Sequence, residues 1–459
     1  MPYVLGVHLG ATVTSAAIAR RDGRQWVAPV PVSLNGGPGT RPVVPTVLCR
    51  VQDGSYLAGP AAQQRETTHH EWVARGFTRF VGEDLPLLIG SEFVPAEQLA
   101  ATMVEWVADH VAHQQGHPPE HIAVAHPATW GAHRTAALHQ ALARLGLTDV
   151  TMLPEPLAVA LDYGNKQQVE QQNAIAVGNI GGSGLDATVL RCRDFGFEIV
   201  GQPLDSPYPS GQDLDDVVFG LVREQFAEQI NALDPTDRAH RTALANLRAE
   251  CARAKEVLSY HPGVQIRVDI PGLRTEYSLS RFRYEQAVRP HLERVPGLIQ
   301  QSLQSAGLST EDVSAVVLAG GTARTPLLRQ LVADRLGATP QVDAAPELVA
   351  ATGAAQAAVR VLSADTDKAE SAAETRLIMA VDDDQSDFPA EEPATAPPPP
   401  IEVEPAPLEP PDEERAKRMK TIKIVAAVVL ILGGVILTFL WPNASVSGVF
   451  GALHTMLRS

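Results

Sequence analysis

The sequence predicts an α/β fold in which one strand–turn–strand design occurs twice, giving a two-lobed domain followed by a linker and one transmembrane helix. Three observations predict it. The design opens the chain, where the strand-like run Tyr3–Leu9 meets a turn of Gly10, Ala11 and Thr12 and a second strand-like run leads to Ala19. It returns in AIAVGNIGGSGLDATVL (174–190) as a strand, a turn of Gly181, Gly182, Ser183 and Gly184, and a returning strand carrying Asp186. Near residue 363 the pattern of apolar runs and helical periods gives way to acidic and proline-rich sequence. Glycine lets backbone N–H groups approach a phosphate closely, and a threonine hydroxyl adds a donor. Two such turns in the two halves of a chain predict a domain that closes on a phosphate from both sides.

The chain's 459 residues suffice for two or three domains with their own cores. A formal net charge of −16 argues against a nucleic-acid backbone as partner. Cys49, Cys192 and Cys251 are far apart and form no C-x-x-C pair, so neither a zinc site nor a disulfide framework is expected. The opening MPYVLGVHLG lacks the basic start of a signal peptide and reads as a strand.

Between the two turns and the linker lie two more informative stretches. In VSAVVLAGGTARTPLLRQLVADRLG (313–337), a buried strand runs into Gly320 and Gly321, and an amphipathic helix begins near Pro326, a favoured first-turn residue. Such a turn, leading to a helix N-terminus, suits a base or phosphate held against bare backbone. ELVAATGAAQAAVRVL (347–362) reads as a helix with Gly353, Ala354 and Ala355 in one turn, small enough for the close helix contact that a hinge requires.

The 363–414 segment buries too little apolar surface to offset its ordering entropy and is expected to be an extended, disordered, self-repelling linker. The apolar RLIMAV (376–381) stands alone in it. A basic juxtamembrane segment (415–423) contributes Arg415, Lys417, Arg418, Lys420 and Lys423 ahead of an uncharged run from 424 to 441. As a helix that run is about 27 Å long, enough for a bilayer core roughly 30 Å thick with modest thinning. Only Arg458 is basic in the tail beyond it (442–459), so the positive-inside rule places the large domain in the cytoplasm and the short tail outside.

Together the glycine turns, the Gly-Gly turn and the hinge helix resemble the actin-like ATPase (ribonuclease-H-like) fold shared by sugar kinases, actins and the heat-shock protein 70 chaperones. Other stretches narrow the resemblance to the heat-shock protein 70 family over residues 1–362: RPVVPTVL (41–48) with LAGPAAQ (57–63), HPATWGAHR (126–134), LPEPLAVALDYG (153–164) and CARAKEVLS (251–259). The resemblance implies a nucleotide-binding domain that takes ATP or ADP. It implies phosphate contacts at Gly10, Ala11, Thr12, Gly181, Gly182, Ser183 and Gly184, and contacts around the base and ribose from Lys255, Ser259, Gly320, Gly321 and Arg324. Glu155 and Asp186 match the acidic residues that organise the attacking water and the metal surroundings.

The departures fall on the chemistry. His8 and Asn179 replace the two aspartates that hold hydrated magnesium in the family, and Ala11 and Gly184 replace threonines. The phosphate-facing lysine aligns on Thr78, with Arg79 one place on, and Glu256 replaces a stacking basic residue. Magnesium wants hard, negative oxygen ligands, so these replacements leave its use open and predict slow or absent hydrolysis. No run of alternating strands follows Leu362, so a client-peptide domain is not expected. Three functions fit: a membrane-tethered nucleotide switch with weak or lost hydrolysis, an active chaperone-type ATPase with rearranged residues, or an actin-like scaffold that needs no nucleotide. Protein partners are expected at a bacterial cytoplasmic membrane, in cell-envelope or secretion machinery.

Overall fold

The computed structural model describes residues 1–35, 42–66, 68–194 and 196–364. The expected linker, from residue 365 on, and the expected basic segment, transmembrane run and tail lie outside the described residues. Among those described, no helix is long and apolar enough to cross a membrane.

Two sheets share one plan. In the first lobe the order is Val150–Pro154, His121–His126, Tyr3–Leu9, Val13–Asp22, Gln25–Trp26, and in the second Gln341–Val342, Val313–Ala319, Ala174–Ile180, Leu185–Arg193, Gly196–Ser206. In each, the strand before the glycine turn pairs antiparallel with the strand after it. On its other side it pairs parallel with a strand brought back by a crossover. The duplication expected from the two turns is therefore present in strand order and direction. These first strands are buried almost throughout, as apolar runs covered on both faces should be. The strand after the first turn runs to Asp22, beyond the expected Ala19, because pairing continues through Arg20 with Tyr3 and Arg21 with Trp26.

Each lobe has its own core. In the first, Leu5, Val7 and Ile18 pack against Leu99, Met103 and Val107 of the helix Ala96–Gln115. In the second, the long helix Arg238–Leu258 buries Leu247, Cys251, Ala254 and Leu258 at helical spacing, against the hairpin Gly263–Ile270 and Leu273–Ser280 and the helix Gly211–Gln225. Burial pushes the Cys251 thiol up to about 12, so it is a core side chain rather than a reactive one.

Two helices join the lobes: Glu155–Lys166 and the helix over 349–364. Each is apolar on two sides. Ala158 and Leu161, with Ala354 and Ala358, pack on Val4, Ala123 and Ala125 of the first lobe. Val159 and Ala160, with Val349 and Ala350, pack on Val177, Val317 and Ala319 of the second. The helices touch at Gly353, where a Cβ would lie 1.8 Å from the Ala158 carbonyl oxygen. The small residues read as a hinge do allow close helix contact, and Gly6 likewise admits the helix over 349–364 onto the opening strand. Beside the crossing, Asp162 accepts hydrogen bonds from Thr352 (2.7 Å) and Lys166 (2.7 Å), and Lys166 also reaches Asp343 (2.8 Å).

Candidate functional site

The sheet plan puts His8 and Asn179 in equivalent places. Each is the sixth residue of a seven-residue strand, next to its glycine turn. Glu155 is the first residue of its helix, where the helix dipole favours an anion, and Asp186 faces Asn179 across the antiparallel pair. The fold brings these four residues together. His8 Nε2 is bonded to Glu155 Oε1, Asn179 Nδ2 donates to Asp186 Oδ2 at 3.0 Å, and the Asn179 side chain also bonds Glu155. Both members of the His8–Glu155 pair are nearly out of solvent, at 15% and 11% side-chain exposure.

Burial by itself would lower the His8 pKa, but the Glu155 charge and hydrogen bond outweigh it and hold His8 above its ordinary value. Burial by itself would raise Glu155; His8, Asn179 and His126 together bring it below the usual carboxylate value. Asp186 goes the other way. Burial first, then the charges of Glu155 and Asp205, hold it well above the usual range, and the Asn179 bond offsets only part of this. The site thus favours retention of a proton on the His8 imidazole and on the Asp186 carboxyl, and ionisation of Glu155.

The two phosphate turns face each other closely. A Cβ on Gly182 would fall 2.1 Å from Thr12 Oγ1, and Gly211 lies against Gly182 with its N–H donating to the Gly181 carbonyl at 2.9 Å. Gly10, Ala11, Ser183 and Gly184 lie in the same two turns, and Gly181 N–H closes the second by donating to Gly184 O at 2.9 Å. Thr78 is buried in a short 3-10 turn, whereas Arg79 reaches across and donates to Ser183 O at 2.6 Å. The basic residue at the second turn is therefore Arg79, which alignment alone placed one position away.

The residues matched to the base and ribose lie in the second lobe. Lys255 is held by Asp215 (2.8 Å) and the Gly211 carbonyl (2.8 Å), and Ser259 ends its helix. Gly320 adopts φ +82°, and a Cβ there would meet Ile180 O at 2.4 Å, so the backbone turn needs glycine. Arg324 is gripped by both carboxylate oxygens of Glu347 (2.9 and 2.6 Å), with its guanidinium 5.5 Å from the centre of the exposed Tyr260 ring. Sequence reasoning missed Tyr260, Glu347, Asp215 and His126. Tyr260 directly follows Ser259, and only its exposure as a large aromatic marks it.

The donors at the two strand ends do not fit magnesium. The imidazole is already spent on Glu155, the Asn179 amide nitrogen is turned toward Asp186, and burial favours the proton-bound form of the Asp186 carboxyl. Among the described residues, no group of three or more His, Cys, Asp or Glu side chains could hold a metal ion.

Asp186 carries a pH prediction. A carboxyl whose pKa is raised by folding binds its proton more tightly in the folded state, so stability falls as pH rises from the ordinary value of 3.8 through the raised one. Asp186→Asn removes that loss. Melting curves should show the variant more stable than the wild type at neutral pH, with the gap closing toward pH 4. A gap independent of pH would contradict the assignment.

A duplicated α/β domain with two opposed glycine turns and a pair of crossing hinge helices defines the actin-like class of nucleotide-binding proteins. Within that class the chain belongs to the Hsp70 family: the model described as "Hsp70 protein" matches residues 87–372. The chain is similar to proteins named "Chaperone protein DnaK", at 27% identity over 365 residues for that of Elusimicrobium minutum and over 366 for that of Thermotoga neapolitana. The DnaK of Thermotoga maritima is 25% identical over 365 residues. These alignments cover 77 to 78% of this chain and 57 to 59% of the relatives' length.

Proposed function

We propose that this is a membrane-tethered Hsp70-type protein that binds ATP or ADP between its glycine turns and uses lobe closure as a switch for protein partners, with weak or lost hydrolysis. The observation that carries the reading is the apposition of Thr12 and Gly182, which brings two phosphate-type turns, one from each lobe, into contact. Phosphoryl transfer depends on electrostatic positioning, and removing one such group costs about 10²- to 10³-fold in rate. Here the positions of two carboxylates and two threonines are changed together. Such losses do not simply multiply, but turnover falls far more than binding, because the turn backbones are kept. The tether reading rests on the uncharged run 424–441 behind its basic flank. It places the domain on the inner face of a bacterial cytoplasmic membrane, within reach of cell-envelope or secretion machinery.

The test is calorimetric titration of the full chain in detergent micelles with ATP and ADP, alongside Gly182→Val. Wild type should bind. The valine, driven into Thr12, should weaken binding by about 100-fold or more, since overpacking of 1–3 kcal/mol adds to lost phosphate contacts. Failure of the wild type to bind either nucleotide overturns the reading. A second reading, an active ATPase with rearranged residues, has the His8–Glu155 pair in its favour. Magnesium-dependent turnover abolished by Glu155→Gln would establish it.

A further inference from the structure

We propose that His8 is the built-in cation of this cleft, so that the chain takes its nucleotide as the free polyphosphate anion rather than as a magnesium complex. This rests on the nucleotide-binding reading and goes on to specify the ligand's chemical form.

The geometry carries the inference. A site that recruits a dication needs unbalanced negative oxygen, and neither strand-end residue, His8 or Asn179, supplies a carboxylate. His8 is paired with Glu155, and Asn179 is paired with Asp186. The groups linked to this pair come from four elements: Glu155, which bonds His8, from its helix; His126, which acts on Glu155, from the parallel neighbour strand; and Asn179, which bonds Glu155, and Asp186 from the other lobe, with Asp205 acting on Asp186. Burial holds His126 below its ordinary value, whereas Glu155 holds His8 above its own, so His8 is the favoured seat of positive charge. One cation opposes one anion, and the cleft asks for no further metal charge.

The same residues leave three buried polar atoms without a partner: His8 Nδ1, Thr12 Oγ1 and Asp186 Oδ1. An imidazolium carries hydrogen on both ring nitrogens, a threonine hydroxyl can donate, and a protonated carboxyl has one O–H. Thr12 Oγ1 can donate in any state, and His8 Nδ1 and Asp186 Oδ1 donate in the proton-bound forms that their surroundings favour; buried donors call for acceptors. Phosphate oxygens are acceptors only. A hydrated magnesium ion, whose waters offer hydrogens, would meet donors with donors. The set suits bare phosphate oxygens.

The test compares ATP affinity of the full chain in detergent micelles, with chelator and with excess magnesium. Wild type should bind ATP in chelator, and magnesium should leave affinity unchanged or weaken it by withdrawing free ATP. His8→Lys, which keeps a cation, should retain binding in chelator. His8→Gln should lose about tenfold or more, as expected for a charge-assisted hydrogen bond. The double variant His8→Asp with Asn179→Asp should bind only with magnesium. A wild-type affinity raised about tenfold by magnesium overturns this inference and leaves nucleotide binding standing. Absence of ATP binding under both conditions overturns both. The wild-type comparison is decisive even if a variant fails to fold.

Discussion

Gly353→Leu is expected to be the most damaging single substitution in the described domain. A Cβ at Gly353 would sit 1.8 Å from the Ala158 carbonyl oxygen and 2.5 Å from its carbon, and these are backbone atoms in the middle of a helix. Nothing flexible is there to move. The two helices must separate, and each packs on both sheets, so separation opens contacts to Val4 and Ala125 on one side and Val177 and Val317 on the other. Overpacking of a core costs about 1–3 kcal/mol and occasionally more; a rigid backbone on both sides puts this site at or above the top of that range. Urea unfolding should show a midpoint far below wild type or no folded protein at all. A midpoint close to wild type would mean that the helices do not cross at Gly353.

Glu155→Ala should be the second most damaging, for an electrostatic reason. It leaves His8 buried without its counter-charge and removes one partner of Asn179. Breaking a buried pair by deleting one member typically costs about 3 kcal/mol or more, reduced here to the extent that His8 sheds its proton. The pH dependence follows from the two shifts. His8 is raised above 6.5, so its contribution is complete below that value and is lost as pH rises through the raised one. Glu155 is lowered below 4.5, so its contribution is present above that value and is lost as pH falls through the lowered one. The wild-type advantage over the variant should be greatest between pH 4.5 and 6.5 and shrink on both sides. A difference that stays constant well below 4.5 and well above 6.5 would show that the pair is not ionic.

The parts legible in the sequence were those written locally. The glycine turns and the helix starting at Pro326 are contiguous patterns, and the structure has them where the residues suggested. Small residues at 353–355 foretold close packing because side-chain volume is a local property. The identity of His8 and Asn179 was equally plain, but their partners were not. His8 meets Glu155 only because the opening strand ends, and the hinge helix begins, at the same end of one sheet, with two crossovers between them. Lys255, matched to an adenosine contact, turned out to be tied to Asp215, and Arg324 to Glu347. Such pairings depend on how distant elements settle against one another. The Arg79 reach to Ser183 spans the two lobes and is of the same kind.

The helix over 349–364 ends the described part of the chain, so whatever lies beyond is hung from it. Mechanically this is a particular suspension point. A pull at residue 364 runs along the helix axis into the Ala351 and Ala355 contacts with Gly6, the Thr352 bond to Asp162 and the wedge of Gly353 against Ala158. Contacts strung along one axis share tension in shear rather than peeling apart in turn. The load therefore arrives at the joint between the lobes and not at the edge of either sheet. In the membrane-tethered switch proposed above, tension on the tether and closure of the lobes act on the same pair of helices, and strain in one is work done on the other.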